Sequence, residues 1–68
     1  MTIQQAIHRS IQSAEIVTVD VDDLSTALSD VECNSETFDR QTVNDDIVDV
    51  WGETANGDQF RIYLKDVE

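Results

Sequence analysis

The dipeptide Asn56-Gly57 constrains this chain more than any other feature. It lies between two runs rich in β-branched and aromatic residues, 47–53 and 59–65. Asn-Gly supplies the positive backbone angles of a tight turn, so the C-terminal third reads as an antiparallel β-hairpin. Two registers compete. A two-residue turn at 56–57 pairs Val50 with Tyr63 and Asp49 with Leu64, which mixes apolar and charged residues on each face. A three-residue loop with Gly57 in the left-handed region pairs Val48 with Leu64, Val50 with Ile62 and Gly52 with Phe60. Only the second register makes one face cleanly apolar, and a buried face is what specifies register. The other face then carries Ile47, Asp49, Trp51 and Glu53 against Lys65, Tyr63, Arg61 and Gln59, with Trp51 opposite Arg61 as a candidate cation–π pair.

The N-terminal half is more regular. Thr2-Ile3-Gln4-Gln5 fits a capping box. Ile3, Ala6, Ile7, Ile11 and Ala14 follow at helical spacing, with Gln4, Gln5, Arg9, Gln12 and Ser13 on the other side, which predicts a helix over 3–13. From Glu15 to Val21 the period becomes two: Val17, Val19 and Val21 alternate with Thr18 and Asp20, the pattern of a strand. Asp22 can cap a second helix over 23–31, with Leu24, Ala27, Leu28 and Val31 as its buried stripe. Residues 32–45 show neither period and are expected to be irregular, with room for one short strand between Thr37 and Val43. The expectation is one α+β domain over 1–68, of order α-β-α-β-β. The hairpin lies in a three-stranded sheet, and both helices cover one of its faces.

Charge is the dominant compositional fact. Four basic residues against fifteen acidic ones leave a net charge of −11. The thirteen acids between 15 and 58 share that segment with Arg40 as their only cation. Self-repulsion on this scale destabilises a compact state while aiding solubility. It disfavours direct contact with nucleic acid or an anionic membrane. No signal peptide or apolar stretch of membrane length is legible, so the expected location is cytoplasmic.

Catalytic inventories are thin. The chain has one histidine, His8, expected on an exposed helix face, and one cysteine, Cys33, expected buried or half-buried and unable to form an internal disulfide. No serine sits in a nucleophile-elbow motif. Asp20-x-Asp22-Asp23 opens like a calcium loop, but Ser25 and Val31 stand where glycine and glutamate are required. Zinc lacks its ligands. Acid–base chemistry needs a carboxyl in an apolar pocket. These acids read as caps, loops and solvent-facing strand positions. The expectation is therefore a chain that is not an enzyme and carries no cofactor or metal.

What remains is the acidic surface: Asp20, Asp22 and Asp23; Asp30, Glu32, Glu36 and Asp39; Asp45, Asp46, Asp49 and Glu53. Duplex DNA carries one charge per roughly 1.7 Å, so eleven charges correspond to roughly 19 Å of duplex. A 68-residue globule spans about 28 Å. A folded domain of this kind can match the charge density of a short duplex on its own surface, and its carboxylates can engage arginine forks as phosphates do. Trp51 and Tyr63 join these acids as candidate partner-binding residues if the outer sheet face is open. The alternative is that they shield the hairpin or pack on 32–45.

In length, charge, absence of a catalytic set and its closing hairpin (Ile47-Val48-Asp49-Val50-Trp51-Gly52-Glu53, then Gly57-Asp58-Gln59-Phe60-Arg61-Ile62-Tyr63), the chain resembles small phage-encoded anti-CRISPR proteins, the acidic kind that inhibit type I systems as DNA mimics. The resemblance implies a partner in a type I surveillance complex, at the subunit that reads the short motif flanking the target, and a location in the host cytoplasm. Two other readings stand beside it. One is an acidic adaptor or structural phage protein that binds through the Trp51/Tyr63 face. The other is a protein of a salt-loving cell, acidic for solubility alone. The oligomeric state is open.

Overall fold

The two predicted helices form because their capping groups and apolar stripes agree. A computed structural model describes residues 1–67. Helix α1 (Ile3–Ser13) begins at a complete capping box. The Thr2 hydroxyl accepts from the Gln5 N–H at 3.1 Å, and Gln5 Oε1 accepts from the Thr2 N–H at 2.9 Å. Ile3, Ala6, Ile7 and Ser10 form its buried face. The helix stops at Ala14, whose φ of 56° is left-handed and whose N–H donates to the Ser10 carbonyl at 2.9 Å.

Strand β1 (Val17–Val21) follows. Helix α2 (Leu24–Cys33) runs two residues beyond the predicted end, and its N-cap is Asp23 rather than Asp22. Asp23 is extended, and its carboxylate accepts from the Ser25 N–H and the Thr26 hydroxyl, both at 3.0 Å. Those bonds satisfy donors that the helix start leaves orphaned.

The sheet differs from the expected one. It has four strands, not three, because residues 37–44, expected to be largely irregular, form a full strand β2 (Thr37–Asn44). Strands β3 (Ile47–Glu53) and β4 (Gln59–Asp66) complete the element order α-β-α-β-β-β. The spatial order is β1-β4-β3-β2. β2, β3 and β4 form an antiparallel meander, and β1 lies parallel to β4. Only Phe38 of β2 is even half-buried, and the rest of the strand is exposed. Without a buried face β2 has no apolar alternation for a reader of the sequence to find.

The hairpin register is the one whose numbers sum to 112: Val48 pairs with Leu64, Val50 with Ile62, Trp51 with Arg61 and Gly52 with Phe60. The Thr54 N–H donates to the Asp58 carbonyl and the Gly57 N–H to the Thr54 carbonyl, each at 2.9 Å, and Gly57 has φ +85°. Val50, Phe60, Ile62 and Leu64 meet Ile3, Ala6, Ile7, Val19, Ala27 and Val31 in one core beneath the helices. Ile62, Leu64, Val31 and Val50 are the largest wholly buried side chains, each contributing about 1.5–3 kcal/mol by burial.

Gly52 has a second role that the hairpin does not explain. A Cβ there would lie 2.1 Å from the Thr37 carbonyl oxygen and 2.7 Å from the Phe38 Cα. Glycine at this point lets β2 cross close over β3, with Phe38 and Phe60 flanking the gap on the core side.

Candidate interaction surface

With both helices on one face, alternation assigns the opposite face residue by residue. It carries Thr18 and Asp20 of β1, Gln59, Arg61, Tyr63 and Lys65 of β4, Ile47, Asp49, Trp51 and Glu53 of β3, and Thr37, Asp39 and Gln41 of β2. Trp51 and Tyr63 are both half-buried here, and no helix covers them. Trp51 sits in a row with Arg61 on one side and Asp39 on the other.

Asp49 departs from the expectation that these acids face solvent. It is 3 % exposed. Arg61 folds over it, with Nη2 2.6 Å from Oδ2 and Nε 3.1 and 3.2 Å from Oδ1 and Oδ2. The hydrogen bonds to Asp49, and then its charge, hold the Arg61 guanidinium above its ordinary pKa. The Arg61 head is thereby committed to Asp49, although Trp51 is its cross-strand neighbour as the register predicted. Asp49 is an internal counter-ion and not part of the exposed anionic surface.

The other predicted partner-binding acids fall into separate groups. Asp20 and Asp22 lie at and just beyond the C-terminal end of β1, and Asp23 follows them as the cap of α2. Asp45 and Asp46 form the β2–β3 turn at the same end of the sheet. The link is explicit: Asp20 pairs with Lys65, Val21 pairs with Asp66, and the Asp46 carbonyl accepts from the Asp66 N–H at 2.8 Å. This end thus gathers Asp20, Asp22, Asp23, Asp45, Asp46 and Asp66, with Lys65 the cross-strand neighbour of Asp20. Asp66 was missed as a member of the group, although the register that sums to 112 already sets it against Asp46.

Asp30 and Glu32 lie exposed on α2. Glu36, Asp39 and Glu53 lie toward the opposite end of the sheet, where the Glu36 N–H donates to the Glu53 carbonyl at 2.8 Å. The eleven predicted acids do not share one face. They divide between an acidic end, the α2 surface and the neighbourhood of Trp51.

One further expectation needs revision, and one residue was missed. Cys33 is exposed, not buried, because α2 continues to it with its buried stripe ending at Val31. Ser10, which drew no attention in the sequence, is a buried polar residue joining α1 to β4. Its place on the apolar side of α1, three residues after Ile7, was the available signal.

His8 is exposed on α1. Among the described residues no three of His, Cys, Asp and Glu converge as metal ligands would. No helix among them is long and apolar enough to cross a membrane. No protein-family model matches the chain, and no curated protein or solved structure is detectably similar to it.

Proposed function

We propose that this protein is a non-enzymatic acidic inhibitor that occupies the basic, nucleic-acid-binding groove of a partner protein and keeps nucleic acid out. The observation that carries the reading is charge over length. The backbone extends 33 × 21 × 20 Å and carries a net charge of −11. One strand of duplex DNA places a phosphate every 3.4 Å, or about ten over the same long axis. The protein therefore matches the charge of one phosphate strand, although not that of both strands. Six of the fifteen acids lie at the acidic end, on a folded unit where carboxylates lose less conformational freedom on binding than in a disordered tail. Supported by its resemblance to acidic anti-CRISPR proteins, a type I surveillance complex of the host is the leading candidate partner, met in the host cytoplasm.

The test is capture of partners from host lysate on the immobilised protein, followed by competition with duplex DNA. The expected result is a basic DNA-binding protein that DNA displaces, with affinity falling at least roughly tenfold between about 50 and 200 mM salt. A retained partner that binds DNA and this protein simultaneously would overturn mimicry. The adaptor reading is favoured by one separate observation, the helix-free face bearing Trp51 and Tyr63. It predicts that Trp51→Ala abolishes capture while Asp45→Asn/Asp46→Asn leaves it intact.

A further inference from the structure

The neighbourhood of Trp51 has a chemistry of its own, distinct from the acidic end. Asp39 stands directly across from Trp51 on β2, a position that places Cβ atoms about 4.5–5.5 Å apart. Glu53 lies two residues along β3 on the same face, roughly 7 Å away. Asp39 and Glu53 are exposed, and Trp51 is half-buried. Asp39 Oδ1 accepts from the Arg40 N–H at 2.8 Å. Trp51, Asp39, Glu53, Asp49 and Arg61 line a concavity of about 1010 Å³ that continues round the hairpin end of the sheet to Ser10 and Phe60.

We infer that Trp51, Asp39 and Glu53 form a seat for one arginine side chain of the partner. The inference rests on the reading that the partner is cationic. Charge complementarity selects the occupant: an aromatic face with a carboxylate across from it and another along the strand favours a planar cation. A guanidinium can stack on indole while its fork donates to two acceptors, whereas an ammonium offers only a point charge. On the β4 side of Trp51, Arg61 is the cross-strand neighbour and its fork is held by the Asp49 carboxylate. On the β2 side Trp51 faces Asp39, with Glu53 two residues along β3, and among the described residues neither carboxylate is in an ion pair.

Trp51 is the only tryptophan, so its emission reports directly on the seat. Hexa-arginine is titrated into the full chain at low salt, with Trp51 emission and calorimetric heat followed together. Hexa-lysine and two charge-matched variants, Asp39→Asn/Glu53→Gln and Asp45→Asn/Asp46→Asn, serve as comparisons. The expected result is a saturable change in Trp51 emission with hexa-arginine. It weakens by about tenfold or more in Asp39→Asn/Glu53→Gln, changes little in Asp45→Asn/Asp46→Asn, and is weaker with hexa-lysine. Heat of binding without any emission change would overturn the seat while leaving the cationic-partner reading intact. So would an emission change that Asp45→Asn/Asp46→Asn removes and Asp39→Asn/Glu53→Gln does not. Neither heat nor emission change with either peptide would overturn both.

Discussion

The hydroxyl of Ser10 stands in for a strand residue at Arg61. β1 starts to pair at Val17 opposite Ile62, which leaves the Arg61 backbone one position short of a strand partner. Ser10 Oγ accepts from the Arg61 N–H at 2.9 Å and lies 3.0 Å from the carbonyl oxygens of Arg61 and Glu15, between which its single proton is shared. One side chain thus joins α1, the approach to β1 and the central strand β4. Ser10→Ala leaves buried backbone groups without partners and is expected to cost about 1–3 kcal/mol in denaturant unfolding. Ser13→Ala, whose hydroxyl donates to the Arg9 carbonyl on the exposed side of the same helix, should change stability by less than about 0.5 kcal/mol.

Replacing Arg61 with methionine puts an apolar side chain where the cation now covers and pairs the Asp49 carboxylate. Arg61→Met is expected to lower Tm by roughly 5–15 °C. Adding Asp49→Val in that background should recover much of the loss, since two apolar side chains leave no buried charge uncompensated. Thermal unfolding of the two single variants and the double variant measures the coupling. Strict additivity would show that the pair is not a unit.

The contact of β2 with β3 depends on the missing side chain at Gly52. Gly52→Ala places a carbon against backbone, not against the movable tip of a side chain, so β2 must shift. The expected loss is about 2–3 kcal/mol. In hydrogen exchange, amides of 37–44 should lose protection before those of β4. Equal loss across the whole sheet would mean that β2 is not separately sensitive.

Ala14 carries a left-handed φ of 56° that a Cβ disfavours. Ala14→Gly is expected to stabilise the protein by about 0.5–1 kcal/mol, because relief of strain outweighs the added freedom of the unfolded chain. A drop in Tm would show that the Ala14 methyl contributes more than its strain costs.

A net charge of −11 on a backbone 33 Å long repels itself. Since the Debye length shortens from about 30 Å at 0.01 M salt to about 10 Å at 0.1 M, Tm should rise across that range. A Tm that continued to rise steeply beyond about 1 M would instead mark a protein adapted to high salt, where charge screening is already complete.

Much of the fold can be read from local pattern. The capping box at Thr2, the stripe of α1, the period-two run to Val21 and the Asn56-Gly57 register are all settled by neighbours in the chain, because helix caps and tight turns are satisfied within a few residues. The candidate surface was legible only in part. The positions of Trp51, Tyr63, Asp39 and Glu53 follow from strand alternation once the strands are known. The burial of Asp49 does not, because a carboxylate on an uncovered face is buried only when Arg61 folds across it.

The sequence by itself determined the two helices, the hairpin with its register and the excess of negative charge, since each rests on backbone and side-chain preferences acting over a few residues. The tertiary structure decided the rest: that 37–44 becomes an edge strand, that β1 lies parallel to β4, and that Asp22, Asp46 and Asp66 reach the same end of the sheet. Those outcomes depend on hydrogen bonds between segments far apart in the chain. A strand such as β2 that buries almost nothing carries no apolar signature of the pairing that defines it.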